Sequence, residues 1–147
     1  MNKIYLLLKP LVFILIPFLI TAQNTKNYEW KLYTEVAGIE IFYKYAECHN
    51  TEEGIHQELV LLRFINTGPH RMYLTWHAQV YYDSYNITEN SKENKFMLSI
   101  DGGEVIEGNC ELNCPKGLKI FSKFLNYDDK PELIKFELKN IQVNPFI

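Results

Sequence analysis

The sequence predicts an all-β protein, an antiparallel immunoglobulin-like β-sandwich of seven or eight strands, with a jelly roll as the alternative. Three observations carry this. Aromatic residues make up 14% of the chain, ten Tyr and nine Phe among them, which suits pleated, half-buried sheets better than helices. Clusters of Gly, Pro, Asn and Asp divide the chain into short alternating or continuously apolar runs. No stretch sustains a helical period; the best helical alternative, Leu118 to Leu125, is only about two turns long.

Trp30 to Val36 opens the series. From Gly38 to Cys48, Ile39, Ile41, Tyr43 and Tyr45 share one side and Glu40 and Lys44 the other, the period of a half-buried strand. Glu58 to Asn66 is nearly all apolar and belongs in the middle of a sheet, ended by the turn cluster Asn66-Thr67-Gly68-Pro69. Arg71 to Asp83 alternates most cleanly, with Met72, Leu74, Trp76, Ala78, Val80 and Tyr82 facing the core. Tyr73, Thr75, His77, Gln79 and Tyr81 face outward. The polar window Asn86 to Lys95 reads as a loop. Phe96, Leu98 and Ile100 then alternate with Met97 and Ser99, and Asp101-Gly102-Gly103 bends the chain before Glu104 to Glu107, both glycines being free to take positive φ. Leu118 to Tyr127 follows. In Leu133 to Val143, Ile134, Phe136 and Leu138 oppose Lys135, Glu137 and Lys139, and the apolar phase slips after Asn140, which predicts a bulge there.

Residues 1–22 read as a secretory signal peptide: Lys3 and Lys9 flank a short start, Leu11 to Ile20 is uncharged and apolar, and Ile20-Thr21-Ala22 offers a small-residue cleavage site. Lys9, Pro10 and Pro17 interrupt the run too often for an uncleaved anchor, and the first cysteine, Cys48, is too far away for a lipoprotein. Residues 23–27 form a polar leader and 28–147 a single sandwich domain. The 125 residues left after cleavage suffice to bury roughly two-thirds of their unfolded surface. The expected location is the periplasm, the envelope or the medium, with no stable membrane insertion after cleavage. The mature chain carries 13 basic against 18 acidic side chains, which argues against nucleic acid as a partner.

Tyr45-Ala46-Glu47-Cys48, the Leu61 to Asn66 strand ending in Asn-Thr, and Gly108 to Cys110 carry a resemblance, together with Leu118 to Phe124 and Phe136 to Asn140. Along most of the mature chain the sequence resembles small exported proteins of Bacteroidetes-type bacteria to which no activity is assigned. The resemblance implies an exported sandwich domain and no reaction. The proteins it resembles carry extra cysteines near the position of Tyr85 to Asn90, where this chain has none, so a local cross-link is absent from this member.

Three cysteines cannot all pair, and an exported chain meets oxidising conditions. A Cys110 to Cys114 bridge would be worth about 2 kcal/mol in the chain-entropy model, and Cys48 to Cys110 about 4. The longer bridge, thought of as spanning the sheets, is the expected one. No residue is assigned to metal, cofactor or catalysis: Cys-x-x-Cys pairs are missing, His49, His56, His70 and His77 are spread along the chain and read as surface residues, and no carboxylate stands out. Gly102-Gly103 lacks the strand-to-helix setting of a phosphate loop, and Asn86-Ile87-Thr88 is too short a pattern to signify. The remaining candidate is the outward row of the Arg71 to Asp83 strand, a polar-aromatic strip roughly 25 Å long at 3.3 Å per residue. Tyr73, His77 and Tyr81 on it form the predicted binding face of a non-enzymatic protein whose partner is a protein or a glycan, a carbohydrate-binding module being the alternative and a small enzyme the second. Ordinary cross-strand packing on a solvated sheet would produce the same row.

Overall fold

The computed structural model describes residues 28–83, 86–87, 94–128 and 131–146; the predicted signal peptide and leader, and most of the 86–95 window, lie outside them. Nine strands form among the described residues: β1 (Lys31–Val36), β2 (Ile39–Asn50), β3 (Ile55–Asn66), β4 (Met72–Tyr82), β5 (Asn86–Ile87), β6 (Lys95–Ile100), β7 (Val105–Glu107), β8 (Lys119–Phe124) and β9 (Leu133–Pro145). All eight predicted strands are present. The ninth is the two-residue β5, at the start of the window expected to be a loop. The strands make two antiparallel sheets packed face to face. In the first, β1, β2 and β3 form a meander and β7 and β8 share the free edge of β3; in the second, β4 is central, with β5 and β6 on one edge and β9 on the other.

The alternation read from the sequence fixes which side chains meet between the sheets. Ile39, Ile41, Val60, Leu62 and Phe64 of the first sheet pack against Leu74, Trp76, Ala78 and Val80 of the second, all buried. Trp76 lies at the centre, its ring 4.9 Å from Phe64 and 5.7 Å from Phe96. Two tyrosines tie the layers together: Tyr82 Oη donates to the Phe121 carbonyl at 2.8 Å, and Tyr33 Oη accepts from the Leu138 amide at 2.9 Å. A bulge in β1 between Leu32 and Thr34 lets Tyr33 make that contact.

The predicted bulge in β9 is present. Thr75 pairs with Gln142 and His77 with Lys139, so Asn140 and Ile141 oppose Trp76 alone, and Asn140 has φ 52°. A second bulge departs from the expectation. Tyr82 pairs with Leu133 and Tyr81 with Lys135, so Leu133 takes the buried position and Ile134 is turned out, 68% exposed. Phe136 and Leu138 keep their inward phase. At the Asp101-Gly102-Gly103 bend the two glycines do different things: Gly103 has φ 75°, whereas a Cβ on Gly102 would lie 2.2 Å from the Pro69 carbonyl oxygen. Asn66 locks these two turns together, its amide donating to the His70 and Ile100 carbonyls and accepting from the Gly68 amide.

β7 and β8 behave as one edge strand with an insertion. The Gly108 amide donates to the Leu62 carbonyl at 2.8 Å and the Leu62 amide to the Leu118 carbonyl at 2.9 Å, so the ladder continues while 109–117 is looped out. Closing that loop brings backbone onto backbone. A Cβ on Gly108 would lie 2.1 Å from the Leu118 carbonyl oxygen, which leaves only glycine.

Candidate functional site

The bulge pattern and the strand period place Tyr73, Thr75, His77, Gln79 and Tyr81 on the outer face of the second sheet, flanked by Lys95, Met97 and Ser99 of β6 and by Lys135, Glu137 and Lys139 of β9. Past the bulge the outward residues of β9 become Gln142 and Asn144. The face is open to solvent at its margins: Lys95, Met97, Ser99, Lys135, Gln142 and Asn144 are exposed, while the central row on β4 is half-buried by its neighbours.

Each predicted binding residue has a definite setting. Tyr73 Oη donates to Met97 Sδ at 3.2 Å. Tyr81 Oη donates to Glu137 Oε2 at 3.2 Å, and Lys135 Nζ sits 4.9 Å above the Tyr81 ring. Glu137 also receives Lys135 Nζ at 3.0 Å and Lys139 Nζ at 3.2 Å. The two ammonium groups hold the Glu137 carboxyl below the usual glutamate range. Desolvation against the sheet, followed by the bond to Glu137, pushes the Tyr81 phenol up. His77 lies between Lys95 and Lys139 on the adjoining strands, and its Nδ1 is buried without a hydrogen-bond partner among the described residues.

The outer face of the first sheet is different. Trp30, placed at the start of β1 by the sequence, instead lies across that sheet, 4.1 Å from the Arg63 guanidinium and 4.6 Å from Lys44 Nζ. Cys48, Leu59 and Leu61 are buried there against Trp30, Ala46 and Phe121. The Cys48–Cys110 disulfide forms as expected, with a Cα–Cα distance of 5.4 Å, but it does not cross between the sheets. Even-numbered residues of β2 beyond Phe42 face away from the core, so the bridge pins the 109–117 loop onto the outer side of the first sheet. Cys114 of the same loop stays free and is buried with the main core cluster. Arg63 closes the margin with Nε and Nη2 both 2.7 Å from Glu107 Oε2.

Pairing of β2 with β3 also assembles residues that sequence reasoning kept apart. Both strands run further than expected, to Asn50 and from Ile55, and the register sets His49 opposite His56. Their Nδ1 atoms are 2.9 Å apart. The intervening turn is held by the Glu53 amide donating to Asn50 Oδ1 at 3.2 Å, by Asn50 Nδ2 donating to Glu53 Oε2 at 3.0 Å, and by Gly54 at φ 67°. The signal was present as two histidines seven residues apart around a Gly-containing turn, legible only once the hairpin is placed. Glu58 begins an otherwise apolar run, yet its carboxylate is buried and accepts from Ser122 Oγ at 2.7 Å.

Depressions also mark the surface of the described residues. One of about 560 Å³ lies between the β2–β3 turn and the bridged loop, lined by His49 to Glu52 and Cys110 to Asn113. Another of about 220 Å³ lies on the seam between the sheets, where Tyr33, Tyr43 and Tyr45 meet Ile134, Lys135 and Phe136. Among the described residues no group of three or more His, Cys, Asp or Glu is arranged to hold a metal ion, and no helix is long and apolar enough to cross a membrane. The chain matches no family model, no curated protein and no solved structure, so the resemblance to small exported proteins rests on its sequence segments alone.

Proposed function

We propose that this protein is an exported binding domain rather than an enzyme, and that it engages an extended acidic glycan through the outer face of its second sheet. The observation that carries this reading is the contrast between the two outer faces. Trp30 and the bridged loop lie on the first, whereas the second presents Tyr73, His77 and Tyr81 in one row with three lysines and one glutamate around them. That local excess of positive charge stands on a chain of net charge −3. Charge complementarity of this kind favours anionic partners and speeds encounter. Tyrosine offers a large rigid ring with a polar tip, and Thr75, Gln79, Gln142 and Asn144 add donors and acceptors suited to sugar hydroxyls. A row roughly 25 Å long suits a polymer better than a single small molecule. The Cys48–Cys110 bridge is in keeping with an oxidising compartment outside the cytosol.

Electrophoresis through gels containing an acidic polysaccharide, with a neutral one for comparison, tests the reading. The protein should be retarded by the acidic polymer, less so as salt rises, and little by the neutral one. Tyr73→Ala with Tyr81→Ala should abolish retardation while changing the melting temperature little, since both rings lie outside the core. Full retardation of that double variant overturns the assignment of the face; equal retardation by the neutral polymer overturns the acidic ligand.

A further inference from the structure

We propose that His49 and His56 form a binding site for a divalent transition metal at the tip of the β2–β3 hairpin. The two residues are direct cross-strand partners, and their rings converge with centroids 5.1 Å apart and Nδ1 atoms 2.9 Å apart. Two imidazole lone pairs repel at that distance. The protein alone resolves this with one shared proton, one ring donating and the other accepting. A cation in place of the proton satisfies both lone pairs at once.

The spacing also selects among cations. With metal–nitrogen bonds of about 2.0 to 2.1 Å, two nitrogens this far apart subtend about 90° at the metal, whereas a tetrahedral angle needs them about 3.3 Å apart. Right-angled imidazole donors are those of square-planar or octahedral Cu(II) and Ni(II), so the pair fits these ions as it stands and Zn(II) only after opening. The other ring nitrogen of His49 is turned to Glu47, with Nε2 3.8 Å from Oε2. At that distance the carboxylate acts through its charge rather than a hydrogen bond, and favours a cation bound to the imidazole. The His49 and Glu47 side chains are each 49% exposed, which leaves the remaining coordination positions to water or to a ligand entering the depression along His49, Asn50 and Glu52. Two protein ligands make an open site rather than a closed structural one.

The test uses the purified disulfide-bonded protein, titrated with Cu(II) and with Ni(II) by calorimetry. The Cu(II) complex is then examined by electron paramagnetic resonance. The expected result is one ion per chain, a spectrum with two equatorial nitrogens, and a rise in melting temperature with either metal. His49→Ala and His56→Ala should each weaken binding at least tenfold and remove the two-nitrogen signature, and His70→Ala should leave both unchanged. His56→Gln, which keeps a hydrogen-bonding side chain of similar reach, should fold like the parent and still lose the metal. Binding in the His49 and His56 variants within twofold of the parent overturns the proposal, as does a parent spectrum without the paired nitrogens.

Discussion

Ala37 sits at φ 48° beside Gly38 at φ 78°, the two central residues of the turn that joins Val36 to its partner Ile39. Positive φ at both positions is the type I′ geometry whose twist matches the flanking strands, and it favours Asn-Gly. Alanine in the left-handed region costs about 1 to 2 kcal/mol, and asparagine bears it better. Ala37→Asn should therefore raise stability by about 1 kcal/mol, read as a higher urea midpoint with unchanged slope. A lower midpoint would mean the turn is not of this type. Asn66 shows the opposite economy, a buried polar side chain whose amide nitrogen and oxygen are both engaged by backbone, so it welds two turns at one end of the sandwich without leaving a group unpaired.

At the level of elements, the split edge strand explains what the disulfide does. β7 and β8 are held to β3 by the ladder through Leu62, independently of the bridge, while the 109–117 loop is tethered by Cys110. Replacing Cys48 and Cys110 with serine should cost about 2 to 4 kcal/mol, with the loss of hydrogen-exchange protection concentrated in the loop and the β2–β3 turn. Uniform loss along β4 and β9 would show that the bridge supports the whole sandwich instead. The β4–β9 pair makes a second prediction. Lys135 and Lys139 donate to Glu137 and lower its pKa in the folded chain, so their contribution is fully present above the unfolded value of about 4.3 and is lost as pH falls through the lower folded value. An NMR titration should place the Glu137 carboxyl below the ordinary glutamate range, and Lys135→Met with Lys139→Met should return it upward. A parent value at or above that range would mean the two lysines do not engage it in solution.

Across the whole molecule, one core couples two sheets with unlike outer faces. Trp76 stands at the join, touching Phe64 of the first sheet and Phe96 of the second. Trp76→Ala should cost about 3 to 5 kcal/mol, and near- and far-ultraviolet circular dichroism should still report one transition, since both sheets depend on the one main core between them. A shift of well under about 1 kcal/mol would place Trp76 outside the core. The unlike faces follow from the connections. The chain before β1 and the loop between β7 and β8 both fold onto the first sheet, where Trp30 and Cys110 lie, which among the described residues leaves the half-buried β4 row of the second without such a cover.

The sequence by itself determined where the main strands run, most of their inward and outward sides, the turn at Asn66 to Pro69 and the β9 bulge at Asn140, because period-two burial and turn residues are local quantities; loop-closure entropy favoured the pairing of Cys48 with Cys110 over the shorter bridge without deciding it. It also marked Tyr73, His77 and Tyr81 as one row, since alternation alone puts them on one side of a strand. Only the tertiary structure decided which strands pair and in what register. That choice turned Ile134 outward by a bulge set against Tyr82, laid Trp30 across the first sheet, moved the disulfide from between the sheets to an outer face, and brought His49 and His56 into contact. These outcomes depend on side chains distant along the chain competing for one core and one ladder, and a one-residue change of register reverses a strand's faces, so no local pattern contains them.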